Sequence, residues 1–408
     1  MKFSELNLNP SLLEGIDAIG FENATPVQEA TIPLILENKD IIAAAQTGTG
    51  KTAAFLLPVI HKILEQPQDE HIKALVIVPT RELAVQIDQQ LEGLSYYTSV
   101  SSLAVYGGGD GQSFDREKKA LTEGADIIIG TPGRLIAHLN MKYVKVEQLD
   151  VLVLDEADRM LDMGFNEDIM KIIGYLPKER QTLLFSATMP PKIRELAKKI
   201  LKEPEEVSIA ISKPNEKIIQ AAFVCYDGQK IDLVKHILKA DFLRSVIVFC
   251  STKDSAKRLT RELKKTDLSV EEIHSDLEQK AREDVLSQFK SRKLKVLVAT
   301  DILARGIDVE DIDIVINYDV PNDGEDYIHR IGRTARAASK GAAFTFVNEK
   351  EQSKFLTIEE LLGKPVPKAK IPAYIGEGPA YEPKPKRGGG KGRRKLGERR
   401  KGEGAGGQ

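Results

Sequence analysis

A glycine-rich loop near the N-terminus has the composition and spacing of a phosphate-binding site. Residues 41–45 form an apolar run, residues 46–52 read Gln-Thr-Gly-Thr-Gly-Lys-Thr, and a second apolar stretch follows. Glycines let backbone N–H groups curl around phosphate oxygens, the lysine adds positive charge, and the last hydroxyl can bind Mg²⁺. The general pattern has Gly six residues before the Lys, where this chain has Ala45. A chance Gly-rich turn is the alternative, and the strand–loop–helix context disfavours it. The candidate phosphate-contacting residues are Thr47, Gly48, Thr49, Gly50, Lys51 and Thr52.

Acidic residues follow a second apolar run. Residues 151–154 read Val-Leu-Val-Leu, as in a buried strand, and Asp155, Glu156, Ala157 and Asp158 come directly after it. Ligands gather at the carboxyl ends of strands in doubly wound sheets, so we expect Asp155 to lie beside the loop and reach Mg²⁺ through water. Glu156 would orient and deprotonate the attacking water in phosphoryl transfer. A solvated loop is an alternative for Asp158, but it fits Asp155 poorly.

These groups need a framework, and the pattern of apolar runs predicts one made of parallel strands. Such runs, separated by helical stretches, are typical of strands that are buried on both faces. Helix boundaries are also visible: Asn9 and Pro10 start a helix that ends near Gly20, Pro191 starts another, and the last ends at Gly363. The predicted strands are residues 41–45, 75–78, 103–106, 127–129, 151–154 and 182–185 in the first half, and 246–249, 296–299, 314–317 and 343–347 in the second.

The chain length indicates two domains, because 408 residues are too many for one ordinary core. Residues 203–217 contain two prolines and mixed charges, and we assign residues 208–217 as the linker between domains 1–207 and 218–366. Residues 367–408 are rich in Pro, Gly, Lys and Arg, so we predict a disordered basic tail. Residues 384–408 hold ten Lys and Arg against two Glu, a net +8, so the rest of the chain sums to −10 of the total −2.

Several classes of protein are disfavoured by what the sequence lacks. No apolar run approaches the roughly 18 residues of a membrane-spanning helix, and the first ten residues do not read as a signal peptide. The two cysteines, Cys225 and Cys250, lack the spacing of metal ligands and fit idle thiols in a reducing compartment. We therefore expect a cytoplasmic protein without a membrane partner.

The acidic motif and the motifs around it resemble those of the DEAD-box ATP-dependent RNA helicases. Residues 155–158 are the DEAD box itself, and the resemblance covers about residues 3–365. The compact core and short basic tail most resemble the bacterial RhlE-type branch of that family. The family implies two tandem RecA-like domains, each a mostly parallel sheet with helices on both faces. The matching motifs are residues 24–28 after Gly20 and Phe21, then 79–84, 107–108, 131–134, 186–188, 248–251, 279–282, 299–301, 304–308 and 327–336.

The resemblance implies that ATP and Mg²⁺ are the cofactors and adds residues to the nucleotide site. Gln28 would hydrogen-bond the adenine edge and Phe21 would stack on the ring, which favours ATP over GTP. An exposed Gln28 in the first turn of a helix fits the local sequence equally well. Arg333 and Arg336 resemble arginine fingers that reach the γ-phosphate when the domains close, although the family's usual Gly between Thr334 and Arg336 is Ala335 here. The remaining implied ATP-side contacts are Gly306 and Asp308, the latter near the ribose.

The resemblance also implies an RNA site and a link between the two sites. The RNA-gripping side chains and backbone suit phosphate oxygens and 2′-hydroxyls, which predicts binding that does not depend on RNA sequence. Taken singly, an arginine among them fits a surface salt bridge better. The implied RNA contacts are Arg81, Gly108, Thr131, Arg134, Gln279, Arg282 and Thr300. The implied coupling residues are Asp158, Ser186 and Thr188 in the first domain and His329 in the second.

The resemblance predicts RNA-stimulated ATP hydrolysis coupled to local, non-processive unwinding of short duplexes and to remodelling of RNA–protein complexes. An ATP-gated RNA clamp with little unwinding uses the same residues, and a DNA translocase of the same superfamily is a third alternative. Ribosomal precursors and RNA-decay complexes are the partners typical of the family. The sequence does not choose between them.

Overall fold

The polypeptide forms two α/β domains, each built around one parallel sheet. The computed structural model describes residues 1–45, 48–67, 71–108, 111–209, 218–240, 243–300, 312–322, 324–334 and 341–384, without the side chains of residues 111, 112 and 325. Every described strand pairing is parallel. The predicted fold class is therefore confirmed.

The first domain holds a seven-stranded sheet in the order β3-β4-β2-β5-β6-β1-β7. Its strands are β1 Ile41–Ala44, β2 Ala74–Ile77, β3 Ser102–Val105, β4 Ile127–Gly130, β5 Val151–Leu154, β6 Gln181–Ser186 and β7 Glu205–Ser208. Its helices are α1 Pro10–Ala18, α2 Pro26–Leu36, α3 Lys51–Leu64, α4 Arg81–Leu94, α5 Gly111–Glu123, α6 Pro132–Asn140, α7 Ala157–Asp162, α8 Asn166–Ile173 and α9 Pro191–Ile200. Apolar clusters on both faces of the sheet explain why β2, β4 and β5 are buried along their whole length.

The second domain holds a six-stranded sheet in the order β10-β11-β9-β12-β13-β8. Its strands are β8 Ile218–Val224, β9 Val246–Cys250, β10 Val270–Ile273, β11 Val296–Thr300, β12 Ile314–Asn317 and β13 Gly341–Val347. Its described helices are α10 Lys230–Leu238, α11 Lys253–Leu263, α12 Gln279–Lys290, α13 Gly324–Ile331 and α14 Gln352–Leu362. Two apolar clusters again cover the two faces.

The helix boundaries follow the local sequence signals. The Asn9 side chain accepts a hydrogen bond from the Ser11 N–H at 3.1 Å and so caps α1, which begins at Pro10. Gly363 ends α14 with a φ of 65°, a left-handed conformation that glycine adopts without strain. In the described part of the chain, no helix has both the length and the hydropathy that a membrane span requires.

Three strands, β7, β8 and β10, were not predicted. β7 and β10 carry glutamates and lie at the edges of the two sheets, where one side of a strand can face water. Polar residues in such positions remove the apolar run by which buried strands are recognised. Residues 205–208 belong to the first sheet, so the last residue of β7 is the first residue of the predicted linker 208–217, and residues 210–217 lie outside the described part.

The predicted disorder from residue 367 onward differs from the structure over residues 367–384, which we call the C-terminal strap. Ala222 and Lys368 form a parallel bridge beside the edge strand β8, and Ile371 and Ile375 pack against the second domain's core. The Tyr381 hydroxyl donates to Glu359 at 2.6 Å. Scattered apolar residues and backbone hydrogen bonds thus order a segment whose average composition predicts disorder. Residues 385–408 lie outside the described residues.

Candidate active site and nucleic-acid interface

The glycine-rich loop connects β1 to α3, as predicted. Gly48 and Gly50 have φ angles of 82° and 90°, and a Cβ on Gly50 would lie 2.6 Å from the Gln28 side-chain nitrogen. Gly50 therefore needs to be glycine for both its conformation and its close neighbour. Thr52 lies in the first turn of α3, where free N–H groups and the helix dipole favour an anion. Thr47 lies outside the described residues.

Lys51 is the first residue of α3 and is almost fully buried. Its Nζ donates to the Ala45 carbonyl oxygen at 2.7 Å, which holds the ammonium against the loop. A phosphate oxygen would have to compete with that carbonyl, but it would bring the negative charge that the carbonyl lacks. The contact places the Lys51 ammonium, the one charged group in the loop sequence, where it and the loop's backbone N–H groups can bind the same ligand.

Gln28 lies behind the loop rather than on an exposed helix face. Its Oε1 accepts from the Thr25 N–H at 2.8 Å, and its Nε2 donates to the Gly50 carbonyl at 3.0 Å. The side chain is 3% exposed, so the alternative of an exposed first-turn residue is wrong. The amide joins α2 to the phosphate loop, and its contact with adenine stays a prediction. Phe21 is partly buried and stacks on Phe3 with ring centroids 6.2 Å apart.

Asp155 follows β5 in the middle of the first sheet and is 3% exposed. Burial raises the pKa of its carboxyl to about 6, although the nearby Lys51 charge acts in the opposite direction. One carboxyl oxygen accepts from the Glu156 N–H at 2.9 Å. A buried carboxylate that is this hard to ionise is stabilised by an added cation, which is the property expected of a metal ligand.

The donors here suit Mg²⁺. This ion prefers oxygen ligands and is usually held by one or two protein groups together with water and substrate phosphates. Asp155 and Thr52 supply a carboxylate and a hydroxyl oxygen. Among the described residues, no cluster of three or more His, Cys, Asp and Glu side chains forms a complete metal cage. The carboxylate and hydroxyl oxygens present fit an Mg²⁺ ion that is held jointly with substrate phosphates.

Glu156 has a left-handed backbone, with φ 49° and ψ 47°, which is uncommon outside glycine. Its carboxylate accepts from the Arg159 guanidinium at 2.9 Å, and Arg159 is 4% exposed. This arginine was not predicted as a site residue. The sequence does contain a signal for this contact, because Glu156 and Arg159 lie three residues apart at the start of α7, and side chains one helical turn apart meet.

Three predicted coupling residues come together at the end of β6. Asp158 accepts a hydrogen bond from the Thr188 N–H at 3.0 Å, and the Ser186 hydroxyl donates to the Thr188 carbonyl at 2.7 Å. The loop after β6 is thus tied to the DEAD segment after β5. His329 lies on α13 and is partly buried, and its meeting with Asp158 stays a prediction.

Arg81 lies where the two domains meet. Its guanidinium donates to the Glu283 carboxylate of the second domain at 2.6 Å and lies over the Tyr106 ring at 4.4 Å from the centroid. Gly108, with a φ of 90°, is adjacent, since a Cβ there would lie 3.5 Å from the Arg81 guanidinium and 3.9 Å from Gln279. Predicted RNA contacts from both domains are therefore neighbours.

Gln279 is the first residue of α12 in the second domain. Its Nε2 donates to Glu82 of the first domain and to Glu283, each at 3.3 Å. Arg282 has a different environment, because its guanidinium donates to the carbonyls of Leu277 and Ser275 at 2.9 and 2.8 Å. These contacts fix the loop before α12. Arg282 therefore has a structural role in this loop in addition to the RNA contact that is predicted for it.

Arg134 and Thr131 lie at the start of α6. The Arg134 Nε donates to Glu117 at 2.6 Å, and the guanidinium lies over the Phe114 ring at 4.5 Å. The same Glu117 oxygen is 2.7 Å from His138 Nε2. Burial acts to raise the pKa of Glu117, but hydrogen bonds from His138 and Arg134 lower it overall. Arg134 is thus held in place from α5, and that support was not predicted.

Of the remaining predicted residues of the second domain, some belong to the described part of the chain and others do not. Thr300 ends β11 and Arg333 follows α13, both partly exposed. Arg330, not predicted as a site residue, is buried and donates to the Asn317 side chain at 3.1 Å and the Asp319 carbonyl at 3.2 Å. It anchors the helix that carries His329. The predicted ATP-side residues Gly306, Asp308 and Arg336 lie outside the described residues.

Comparisons with known proteins agree with this arrangement. Residues 25–196 match the family model of DEAD/DEAH box helicases, and residues 229–338 match the helicase conserved C-terminal domain. The ATP-dependent RNA helicase CshA of Listeria monocytogenes is 45% identical over 374 residues, which are 91% of this chain and 71% of that protein. The DEAD-box ATP-dependent RNA helicase CshA of Streptococcus pneumoniae is 46% identical over 378 residues, or 92% of this chain and 71% of that protein.

This chain belongs to the DEAD-box RNA helicase family. A solved structure of Saccharomyces cerevisiae Dbp5 bound to RNA and ADP BeF3 is similar, with a TM-score of 0.80 and 33% identity over 90% of this chain and 95% of that one. The predicted family and the two RecA-like domains are therefore confirmed. Both relatives are named CshA, so the predicted RhlE-type branch is not supported. That prediction relied on the compact core and the basic tail, which are general features of length and composition and do not identify a particular site.

Proposed function

We propose that this DEAD-box protein couples RNA-stimulated ATP hydrolysis to local, non-processive unwinding of short RNA duplexes and to remodelling of RNA–protein complexes. The observation that carries the proposal is the meeting of Arg81, Gly108 and Gln279 across the domain interface. RNA that contacts both domains is bound best when they are closed. RNA binding and nucleotide binding would then favour the same closed arrangement.

The nucleotide site supports hydrolysis. The loop from Gly48 to Thr52 binds phosphates, and Asp155 with Thr52 would hold Mg²⁺, which neutralises phosphate charge when bound. Glu156 takes the proton of the attacking water, and Arg159 holds that carboxylate in position at 2.9 Å. The proposed adenine contacts, Gln28 and Phe21, precede the phosphate loop in the sequence, and the catalytic acids follow it. In the second domain, Gly306 and Asp308 complete the nucleotide contacts.

The second domain completes catalysis only on closure. Arg333 and Arg336 would stabilise the charge that develops on the γ-phosphate, an effect worth roughly 10³–10⁵ in rate for such arginines. Asp158, Ser186, Thr188 and His329 would report that closure to the RNA side. The hydrogen bond between Asp158 and the Thr188 N–H at 3.0 Å supports this link, because it joins the catalytic segment to the neighbouring strand end.

The RNA interface supports binding that does not depend on base sequence. Arg81, Arg134 and Arg282 offer guanidinium groups, Thr131 and Thr300 hydroxyls, Gln279 an amide, and Gly108 its backbone. Closure on such a strand would bend it so that it cannot remain paired, and hydrolysis would then reopen the cleft. The substrates are duplex-containing RNAs of the cytoplasm, with ribosomal precursors and RNA-decay complexes as the candidate assemblies.

The test is a pair of assays on the full chain. ATP turnover is measured with RNA, with DNA of the same sequence and without nucleic acid, and strand displacement is measured on a short RNA duplex. We expect RNA to stimulate turnover more than DNA does, and displacement to require ATP. RNA-stimulated turnover without displacement would favour an ATP-gated clamp, and equal stimulation by DNA would favour a DNA translocase.

A further inference from the structure

The C-terminal strap holds one aromatic side chain out in solvent. A turn at residues 372–376 is closed by backbone hydrogen bonds from Ile375 to Pro372 and from Gly376 to Ala373, at 2.9 and 3.2 Å. The Gln229 side chain donates to the carbonyls of Ile375 and Glu377 at 3.2 and 3.1 Å, which fastens the turn to the second domain. Ile375 packs inward, whereas Tyr374 beside it is 69% exposed.

The exposed ring of Tyr374 is fixed in place. Its hydroxyl is 2.7 Å from His236 Nδ1, and the two ring centroids are 5.8 Å apart. The Lys239 ammonium lies 5.8 Å from the tyrosine centroid. A ring already held by these contacts would lose little further conformational freedom when a flat partner stacks on it.

A cavity of about 640 Å³ lies between this ring and α10, and positive charge surrounds it. Lys235, Lys239 and Lys295 line it, against a single acidic lining residue, Asp232. Lys235 is 3.9 Å from Glu262, whereas the ammonium groups of Lys239 and Lys295 have no ion-pair partner in the described parts of the chain. Such a local excess of positive charge is unusual on a core that sums to −10.

The cavity is separate from the interface between the domains. Lys295 directly precedes β11, so it lies at the amino edge of the second sheet, whereas Thr300 lies at the carboxyl edge. A strand of five residues spans roughly 17 Å, so one RNA reaches both edges only if it extends well beyond the main contacts. A ligand of this cavity therefore does not belong to the nucleotide site or to the RNA contacts described above.

We propose that this basic and aromatic cavity is a second contact for single-stranded RNA, with a base stacked on Tyr374 and phosphates bound by Lys239 and Lys295. Aromatic rings beside lysines bind single strands through stacking and charge, without reading sequence. An anchor at this edge keeps a long RNA attached to the second domain while the cleft opens and closes. The inference rests on the proposed RNA-dependent function.

The test compares RNA binding by the full chain and by Tyr374→Ala, using fluorescence anisotropy. One labelled RNA has about 10 nucleotides, within the usual range of a single-strand site, and another is four times longer. We expect Tyr374→Ala to bind the long RNA about tenfold more weakly, as the loss of one stacked base predicts, with the short RNA unchanged. Tyr374→Phe keeps the ring and should bind like the wild type.

The lysines are tested by salt dependence. In the double variant Lys239→Ala, Lys295→Ala, the slope of log affinity against log salt for the long RNA should become shallower by about 0.7 for each lost phosphate contact. Tyr96→Ala, at another exposed tyrosine, and Lys199→Ala, at an exposed lysine of α9, serve as matched controls and should change neither affinity nor slope. The basic tail is present in every variant, so the differences report the cavity alone.

Unchanged long-RNA affinity in Tyr374→Ala and in the double lysine variant would overturn the inference and leave the cavity to an acidic protein segment. An equal loss on both RNAs would also overturn it, because the cavity would then belong to the main site. Binding is measured without ATP, so the result stands apart from the proposed function. A wild-type chain whose ATP turnover ignores RNA would contradict that function instead.

Discussion

The carboxyl edges of the two sheets each hold an aspartate, buried in the first domain and partly buried in the second, and the two differ in how their charge is balanced. In the second domain, Asp319 follows β12 and lies 3.0 Å from the Lys230 ammonium, which also contacts Asp227 at 3.1 Å and Glu351 at 3.5 Å. Burial acts to raise the pKa of Asp319, but Lys230 and the Ser251 hydrogen bonds lower it overall. In the first domain, burial instead raises the pKa of Asp155 to about 6.

The difference shows that position at a strand end does not by itself make a catalytic acid. Lys230 is 2% exposed and lies 3.0 Å from Asp319, so Asp319 already has a positive counter-charge within its own domain. Lys51 donates to a backbone carbonyl instead, which leaves Asp155 in need of added positive charge. We therefore expect the first edge to bind a cation and a phosphate, and the charges at the second edge to contribute to stability.

The largest effect is expected at the first edge, from Glu156→Gln. The amide has nearly the same shape but cannot take a proton from water, so turnover should fall by about 10²–10⁴, the usual contribution of a general base. ATP and RNA binding should persist. RNA-saturated kcat and nucleotide affinity are the measurements. The matched control is Glu167→Gln on the exposed face of α8, which should turn over like the wild type. Normal turnover in Glu156→Gln would remove Glu156 from its assigned role.

At the second edge, Lys230→Met should affect stability rather than chemistry. Removing the ammonium leaves the partly buried carboxylates of Asp319 and Glu351 without a cation, and the cost should reach at most the roughly 3–5 kcal/mol that is typical of breaking a fully buried pair. Thermal unfolding should show a clearly lower midpoint for the second domain. Lys253→Met, which breaks an exposed pair with Asp276, is the control and should leave the midpoint nearly unchanged. A stable but inactive Lys230→Met protein would instead assign Lys230 a role in the reaction.

A third substitution, Asp155→Asn, should stabilise the protein when nucleotide and Mg²⁺ are removed with a chelator. The folded-state pKa of about 6 lies above the ordinary value of 3.8, so ionising Asp155 opposes folding. That cost is absent below about pH 4, grows as the pH rises and is complete above about pH 6, where it reaches about 3 kcal/mol. The variant's gain in unfolding free energy should therefore be present at pH 7 and absent near pH 4. A gain that does not depend on pH would mean that packing, not charge, is responsible.

The smallest effect is expected from removing the basic tail that follows Lys384, which lies outside both sheet edges in the sequence. Truncation after Lys384 keeps the contacts of the C-terminal strap, which end with the Ser353 hydroxyl on the Lys384 carbonyl at 2.7 Å. We expect RNA-saturated kcat to remain nearly unchanged and RNA affinity to fall several-fold, with a salt slope shallower by about 0.7 per lost phosphate contact. The measurement is the RNA affinity of the full chain and of the truncated chain at several salt concentrations. Identical slopes would leave the tail without a role on RNA, and a lost kcat would make it part of the catalytic machinery.

The sequence predicted the fold where burial produces a pattern. The predicted strands at residues 151–154 and 314–317 have the observed boundaries, because both are buried central strands whose residues are apolar apart from Asn317. Edge strands such as β10, with two glutamates, carry no such signal. The C-terminal strap was also missed, because its order depends on a few contacts with the finished second domain rather than on a local periodicity.

The candidate site was predictable as a set of residues, but not as a set of contacts. Asp155 could be placed beside the phosphate loop because it directly follows a buried parallel strand, and ligands gather at the carboxyl ends of such strands. The arrangement of Gln28 between Thr25 and Gly50, or of Arg282 on the carbonyls before α12, depends on side-chain packing that a sequence pattern does not contain. Glu117 was missed for the same reason, since it acts by holding another side chain, whereas Arg159 was missed although its spacing of three residues from Glu156 is visible in the sequence.

In the proposed function, ATP at the first edge holds the two domains closed on RNA until it is hydrolysed. The most direct test is the dissociation rate of labelled RNA from Glu156→Gln, measured with ATP and with ADP. We expect ATP to slow RNA release strongly in this variant and ADP not to, because the closed arrangement persists when hydrolysis is blocked. Equal release rates with the two nucleotides would contradict it.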